Sequence, residues 1–142
     1  MTKQTFTKLL TANDTGESGG HQAGIHIPKT DHELLAFLPK LDAALKNPDA
    51  WITCTDDTGQ EWDFRYVYYN NKLHDAGGTR NEYRLTHMTK YFRAIGAKQG
   101  DAFHISGVIG LSEYKVYVIK SDANERPAKI ERIRLKGWRQ VY

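Results

Sequence analysis

Residues Glu61 to Tyr69, EWDFRYVYY, constrain the fold of this chain more than any other stretch. Trp62, Phe64, Tyr66 and Tyr68 share one parity, and Asp63 and Arg65 share the other. Alternation of period two sorts side chains onto the two faces of an extended strand, whereas a helix would scatter them. Trp51 to Thr55 reads as a partner strand. Asp56-Asp57-Thr58-Gly59 between them is a turn, so the pair is expected as a hairpin. Looser alternation marks further strands at Thr5–Leu10, Ala23–Pro28, Ala102–Ile109, Glu113–Ile119 and Ile130–Leu135, with Trp138–Tyr142 as a short tail. Two stretches have helical spacing. Thr30, with Glu33 three residues on, has the capping-box pattern and predicts a helix from Asp31, with Leu34, Leu35, Phe37 and Leu38 inward and Pro39 at its end. His87 to Ile95 buries Met88, Tyr91, Phe92 and Ile95, and Gly96 closes it. Leu41–Leu45 is expected to add a short helical turn. The expectation is a mainly β fold with one or two short helices, an open β-barrel of about seven strands.

The chain has 142 residues, enough for one domain, 1–142, with a real core. It has no apolar run of the ~18 residues that a membrane span needs, and MTKQTFTKLL lacks the apolar core of a signal peptide. Cys54 is the lone cysteine, which rules out an internal disulfide and a multi-cysteine zinc site and fits a reducing compartment. A formal net charge of +3 permits nucleic acid as a partner without requiring it.

Two polar, glycine-bearing arms interrupt the strands. The first is TANDTGESGGHQAG, Thr11 to Gly24; the second is NNKLHDAGGTRNEYRLT, Asn70 to Thr86. A run of this kind is ordinarily a surface loop. These arms also carry the chemistry that base recognition needs. Forked donors suit guanine, and an acceptor suits the cytosine amino group. Arg80, Asn81 and Glu82 supply donor, mixed and acceptor groups in succession, and Asn13, Asp14, His21 and Gln22 form a comparable set. Thr15, Ser18 and Thr79 can bond phosphate, and Gly19 and Gly20 allow close backbone approach. Lys72, Arg84, Lys90 and Arg93 are candidates for phosphate contacts, and His74 joins the candidate set. Arg80 and Glu82, at i and i+2, share a face if the arm is extended, which suits joint readout or a mutual ion pair. His26, between Ile25 and Ile27, is expected on the solvent face of its strand. His87 and His104 read as structural, and the aromatic face of Trp62–Tyr68 as core.

The run LTANDTGESGGHQAGIHIP resembles the N-terminal effector domain of EcoRII-type (Type IIE) restriction endonucleases, with its ANDTG-x-x-GGHQ-x-G segment. YYNNKLHDAGGTRNEYRLT resembles the same family's segment leading into TRNE-x-R-x-T, in the same order along the chain. The resemblance implies a DNA-binding pseudobarrel like that of plant B-three transcription factors. It also implies double-stranded DNA as partner, a CC(A/T)GG-like site read in the major groove, and no catalysis or cofactor in the domain itself. Asp14, His21, Gln22, Arg80, Asn81 and Glu82 carry over as site residues. Tyr83 and Leu85 stand where the family has lysine and isoleucine, which removes a charge from the second arm. A C-terminal nuclease domain of the same enzyme, a monomeric isolated domain and a cytoplasmic, prokaryotic setting complete the expectation.

The main alternative is a metal-dependent nuclease acting by itself. Pro48-Asp49 and Glu113-Tyr114-Lys115 mimic its proline-aspartate and acid-x-lysine elements, which use carboxylates to hold a metal and activate water. A small-ligand barrel is a third class, but abundant Tyr and Trp would fill a barrel of this size.

Overall fold

The computed structural model describes residues 3–17, 23–111, 113–121 and 137–141. Their strands are β1 (Lys3–Leu9), β2 (Ile25–Ile27), β3 (Asp49–Thr55), β4 (Glu61–Tyr69), β5 (Glu82–Thr86), β6 (Ala102–Val108), β7 (Glu113–Ile119) and β8 (Trp138–Val141). Four short helices lie between them: α1 (Ala12–Thr15), α2 (His32–Phe37), α3 (Asn71–His74) and α4 (Thr89–Ile95). One sheet takes all eight strands in the order β2-β5-β4-β3-β7-β6-β1-β8. Every pairing is antiparallel except β3 with β7. The sheet curls until its edge strands meet, where the Trp138 indole N–H donates to the carbonyl of His26 at 3.1 Å. This is an open β-barrel as the alternation predicts, with eight strands among the described residues where about seven are expected, and the pseudobarrel that the resemblance implies.

The barrel interior is aromatic. Phe64, Tyr66 and Tyr68 of β4 are buried on one parity, as the sequence pattern requires, and Val67 is buried on the other. Phe64 and Tyr66 join Phe6, Phe37, Tyr91, Phe92 and Phe103 in a contiguous core, with Tyr91 against Phe64 at 5.5 Å and Phe6 against Phe37 at 4.8 Å. Each such ring contributes about 1.5–3 kcal/mol by leaving water. Asp56 organises the β3–β4 turn, accepting from Thr58 N, Gln60 N and the Trp62 indole. Gly59 takes the left-handed conformation at φ +89° that the turn needs.

Four expectations change. Asp31, not Thr30, caps α2, accepting from Leu34 N at 3.1 Å. A turn from Pro28 to Asp31 holds Thr30 one residue outside the helix. Residues 41–45 form a turn rather than helix, because the Asp42 carboxylate takes Ala44 N and competes with helical bonding. The expected tail is strand β8, paired with β1 from Lys8↔Trp138 to Thr5↔Val141. Helices number four among the described residues because both arms contain single helical turns. The strand expected at Ile130–Leu135 lies outside the described residues.

Candidate nucleic-acid interface

The two arms open from opposite ends of one ribbon. The first rejoins the sheet at Gly24 and feeds β2. The second feeds β5, which pairs antiparallel with β2 through Ile25↔Leu85, His26↔Arg84 and Ile27↔Tyr83. Gly24 fits because a methyl there would fall 2.7 Å from the carbonyl oxygen of Leu85. Glu82 lies three to four residues along β5 from that contact, about 10–14 Å at strand rise, comparable with the ~12 Å width of a DNA major groove. Register partners share a face, so His26 and Arg84 form the outer floor between the arms, with Glu82 beside them.

In the first arm, Thr11 and Asp14 make a reciprocal capping box around α1: Asp14 N donates to Thr11 Oγ1, and Thr11 N to Asp14 Oδ2 at 3.0 Å. Asp14 is buried and ion-paired with Lys8 at 2.6 Å. It stands inside the arm's root rather than on its surface. Its backbone carbonyl accepts from Gly24 N, so the arm's start and end are tied at one residue. Thr15 is engaged within the arm, bonding Ala12 O and Glu17. Glu17 also accepts from Gln99 N, in the turn before β6. Asn13 is exposed. Ser18, Gly19, Gly20, His21 and Gln22 lie outside the described residues.

The second arm is described along its whole length. Buried Asn70 roots it, exchanging two bonds with Asn47 and donating to Leu45 O at 2.8 Å. His74 bonds Ala43 O from the exposed side, and Lys72 and Thr79 are exposed. Asn71 Oδ1 accepts from Arg80 N at 2.8 Å, and Arg80 O accepts from Lys72 N at 3.0 Å. The Arg80 guanidinium lies 3.7 Å over the Tyr69 ring and donates through Nε and Nη2 to Glu82 Oε1. Arg84 approaches the other Glu82 oxygen at 3.6 Å. Burial raises the Glu82 pKa, but hydrogen bonding from Arg80 and the charges of Arg80, Arg84 and His26 outweigh it, and the net shift is downward. Glu82 is thus held ionised as an acceptor. Asn81 is taken by the Tyr68 hydroxyl. Tyr83 stacks on Tyr68 with ring centroids 4.1 Å apart, so its ring packs against the neighbouring strand. Lys90 and Arg93 are exposed on α4.

Three residues outside the sequence-derived set belong to this constellation: Lys8, Tyr69 and His26. Lys8 shares the parity of buried Phe6 and Leu10, and a charge in core phase is the signal that could have found it. His26 feels both arms. Partial burial lowers its pKa below the ordinary 6.5, with Glu82 and Asp14 opposing and Arg84 and Lys8 reinforcing. A histidine with a depressed folded pKa binds fewer protons than the unfolded chain does. Its contribution to stability is therefore present above pH 6.5 and lost as pH falls from there through the folded value. Proton titration of the His26 ring by NMR in the free protein should show a midpoint below 6.5. An upward shift would mean that Glu82 and Asp14 dominate.

The nuclease elements do not converge. Register pairs Glu113 with Thr53, leaving Asp49 four residues away along β3, about 13 Å. Two carboxylates on one magnesium each sit at ~2.1 Å from the ion. Asp49 is instead bound to Arg65 at 2.6 Å. Among the described residues no three His, Cys, Asp or Glu side chains cluster closely enough to hold a metal ion.

Comparison with known proteins bears on the fold and the family. The solved Arabidopsis FUS3–DNA complex superposes with a TM-score of 0.59 at 22% identity, covering 82% of this chain and 96% of that one. A hypothetical Arabidopsis thaliana protein superposes with a TM-score of 0.55 at 10% identity, covering 85% and 94%. Both show the shared fold. The Type II restriction enzyme EcoRII of Escherichia coli is 32% identical over 123 residues, which are 84% of this chain but 28% of that enzyme. Residues 2–122 match the family described as "Restriction endonuclease EcoRII, N-terminal", and the chain belongs to that family.

Proposed function

We propose that this chain is a non-catalytic effector domain that binds double-stranded DNA sequence-specifically, as part of a restriction endonuclease. The duplex lies across the β2–β5 ribbon, with one arm on each side in the major groove. Its site is short and CC(A/T)GG-like. A lone domain has no two-fold axis, so it reads the two half-sites with different residues. The observation that carries this reading is Arg80, held over the Tyr69 ring and donating twice to an ionised Glu82. That geometry presents a guanine-type donor beside a cytosine-type acceptor at fixed spacing. A nuclease domain in the same polypeptide, a monomeric isolated domain and a cytoplasmic, prokaryotic setting belong to the same proposal.

Site selection from a randomised duplex pool, with the isolated domain and magnesium present, tests it. The expected outcome is enrichment of a G·C-flanked site and recovery of intact DNA. Binding should weaken steeply with salt, because each phosphate contact adds about −0.9 to the slope of log K against log salt. Lys72→Ala should flatten that slope by about one such step and weaken cognate and mismatched duplexes alike. A flat salt dependence in the wild type, or plasmid nicking abolished by Glu113→Ala, would overturn the reading.

A further inference from the structure

We propose that Lys8 is a positioning residue for DNA readout: it fixes the pose of the first arm by drawing Asp14 out of water, and it does not itself touch DNA. The inference rests on the DNA-binding reading above. The Lys8 side chain is 4% exposed and that of Asp14 9%. Lys8 Nζ donates to Asp14 Oδ2 at 2.6 Å and to Leu9 O at 3.1 Å.

Asp14 is where the arm is tied. One of its carboxylate oxygens holds Lys8 from the sheet and Thr11 N from the arm's start, and its backbone carbonyl holds Gly24 N at the arm's end. Removing two charges from water costs much of what their attraction returns, so such a pair adds little net stability over an apolar pair of similar shape. Its effect is on geometry. A lone buried carboxylate would have to swing out to solvent, and the arm would move with it. The pair thus makes the arm's position depend on one sheet residue.

This assigns Asp14 a role different from the base-reading one that the family resemblance implies, and the two roles predict different variants. Lys8→Met should lose about tenfold in discrimination between the cognate duplex and single-base-pair variants, the size of one base contact. The double variant Lys8→Met/Asp14→Asn should regain it, because a neutral asparagine can still accept from Thr11 N and needs no counter-charge. The salt slope of Lys8→Met should equal that of the wild type, since a buried lysine releases no counterion.

Binding assays on both variants, with amide NMR spectra of the free proteins, make the test. Shifts in Lys8→Met should concentrate in residues 11–17 and spare the β3–β4 hairpin. A double variant that folds but does not discriminate would make Asp14 a reader and overturn the inference, and this arm of the test stands even if Lys8→Met alone fails to fold. A salt slope reduced by about 0.9 in Lys8→Met would make Lys8 a phosphate contact and overturn it too. Wild-type protein that shows no sequence preference would instead overturn the DNA reading on which the inference rests.

Discussion

Arg80→Ala is expected to reduce binding of the cognate duplex ten- to a hundredfold or so, the 1–3 kcal/mol carried by a good bidentate base contact. Non-specific binding should fall much less, because phosphates are held by other cations. The structure explains why one side chain would carry so much. An arginine on a mobile loop must be ordered when it binds, and that entropy is subtracted from the contact. Here the ordering is already done: Tyr69 lies beneath the guanidinium, Asn71 holds the Arg80 backbone N–H, and Glu82 takes the Nε–Nη2 edge. A guanidinium held through its Nε–Nη2 edge still has an Nη1–Nη2 edge, the pair of donors that matches guanine O6 and N7. Glu82→Ala should therefore lose more than a preference for cytosine. It unclamps Arg80, so the two substitutions should be strongly non-additive, as expected for groups in one network. Competition among single-base-pair variants measures both effects. An unchanged order of preference in both mutants would move base reading to the first arm.

The fold was legible where one face of a strand is fully apolar. In β4 the register of Phe64, Tyr66 and Tyr68 leaves no alternative, because a one-residue slip would expose all three. It was less legible where the deciding partner is distant in sequence. Nothing local in Trp138–Tyr142 distinguishes a tail from an edge strand. Its pairing is supplied by β1, more than a hundred residues away. The end of α2 was predicted correctly from Pro39, whereas its start slipped because Thr30 and Asp31 are both good caps and a preceding turn chooses between them.

The candidate site divides the same way. Arg80 and Glu82 are two residues apart, so extended geometry alone puts them on one face, and their mutual ion pair is among the readings the spacing allows. Asp14 reads as one more polar loop residue until Lys8 is brought against it by the turn of the chain. Asn81 and Tyr83 look like surface groups in sequence, yet both are committed to Tyr68 on the neighbouring strand. Composition shows which residues carry chemistry. Only packing shows which of them are already engaged in holding the arms in place.

That distinction bears on the pair Gly77 and Gly78, which sequence alone cannot separate. A methyl at Gly78 would run into the backbone carbonyl of Asn71 and stand 2.8 Å from Lys72 N, whereas one at Gly77 would meet nothing within 4 Å. Neither glycine takes the left-handed conformation, so the difference lies in space rather than backbone freedom. Asn71 and Lys72 are the two residues whose groups clamp the Arg80 backbone. Gly78→Ala must push that clamp aside, at the 1–3 kcal/mol typical of overpacking. The strain should be relieved within the arm, because its root at Asn70 is fixed to Asn47 and Leu45, and the barrel core is not involved. The expected result is a loss of cognate affinity approaching that of Arg80→Ala, about tenfold or more by the same base-contact estimate, with the thermal midpoint lowered by several degrees, as strain of that size implies for a small domain. Gly77→Ala should bind like the wild type and gain slightly in stability, since alanine restricts the unfolded chain. Equal affinities for the two alanine variants would mean that Arg80 is not held by the Asn71–Lys72 turn, and that its preorganisation rests on Tyr69 and Glu82 alone.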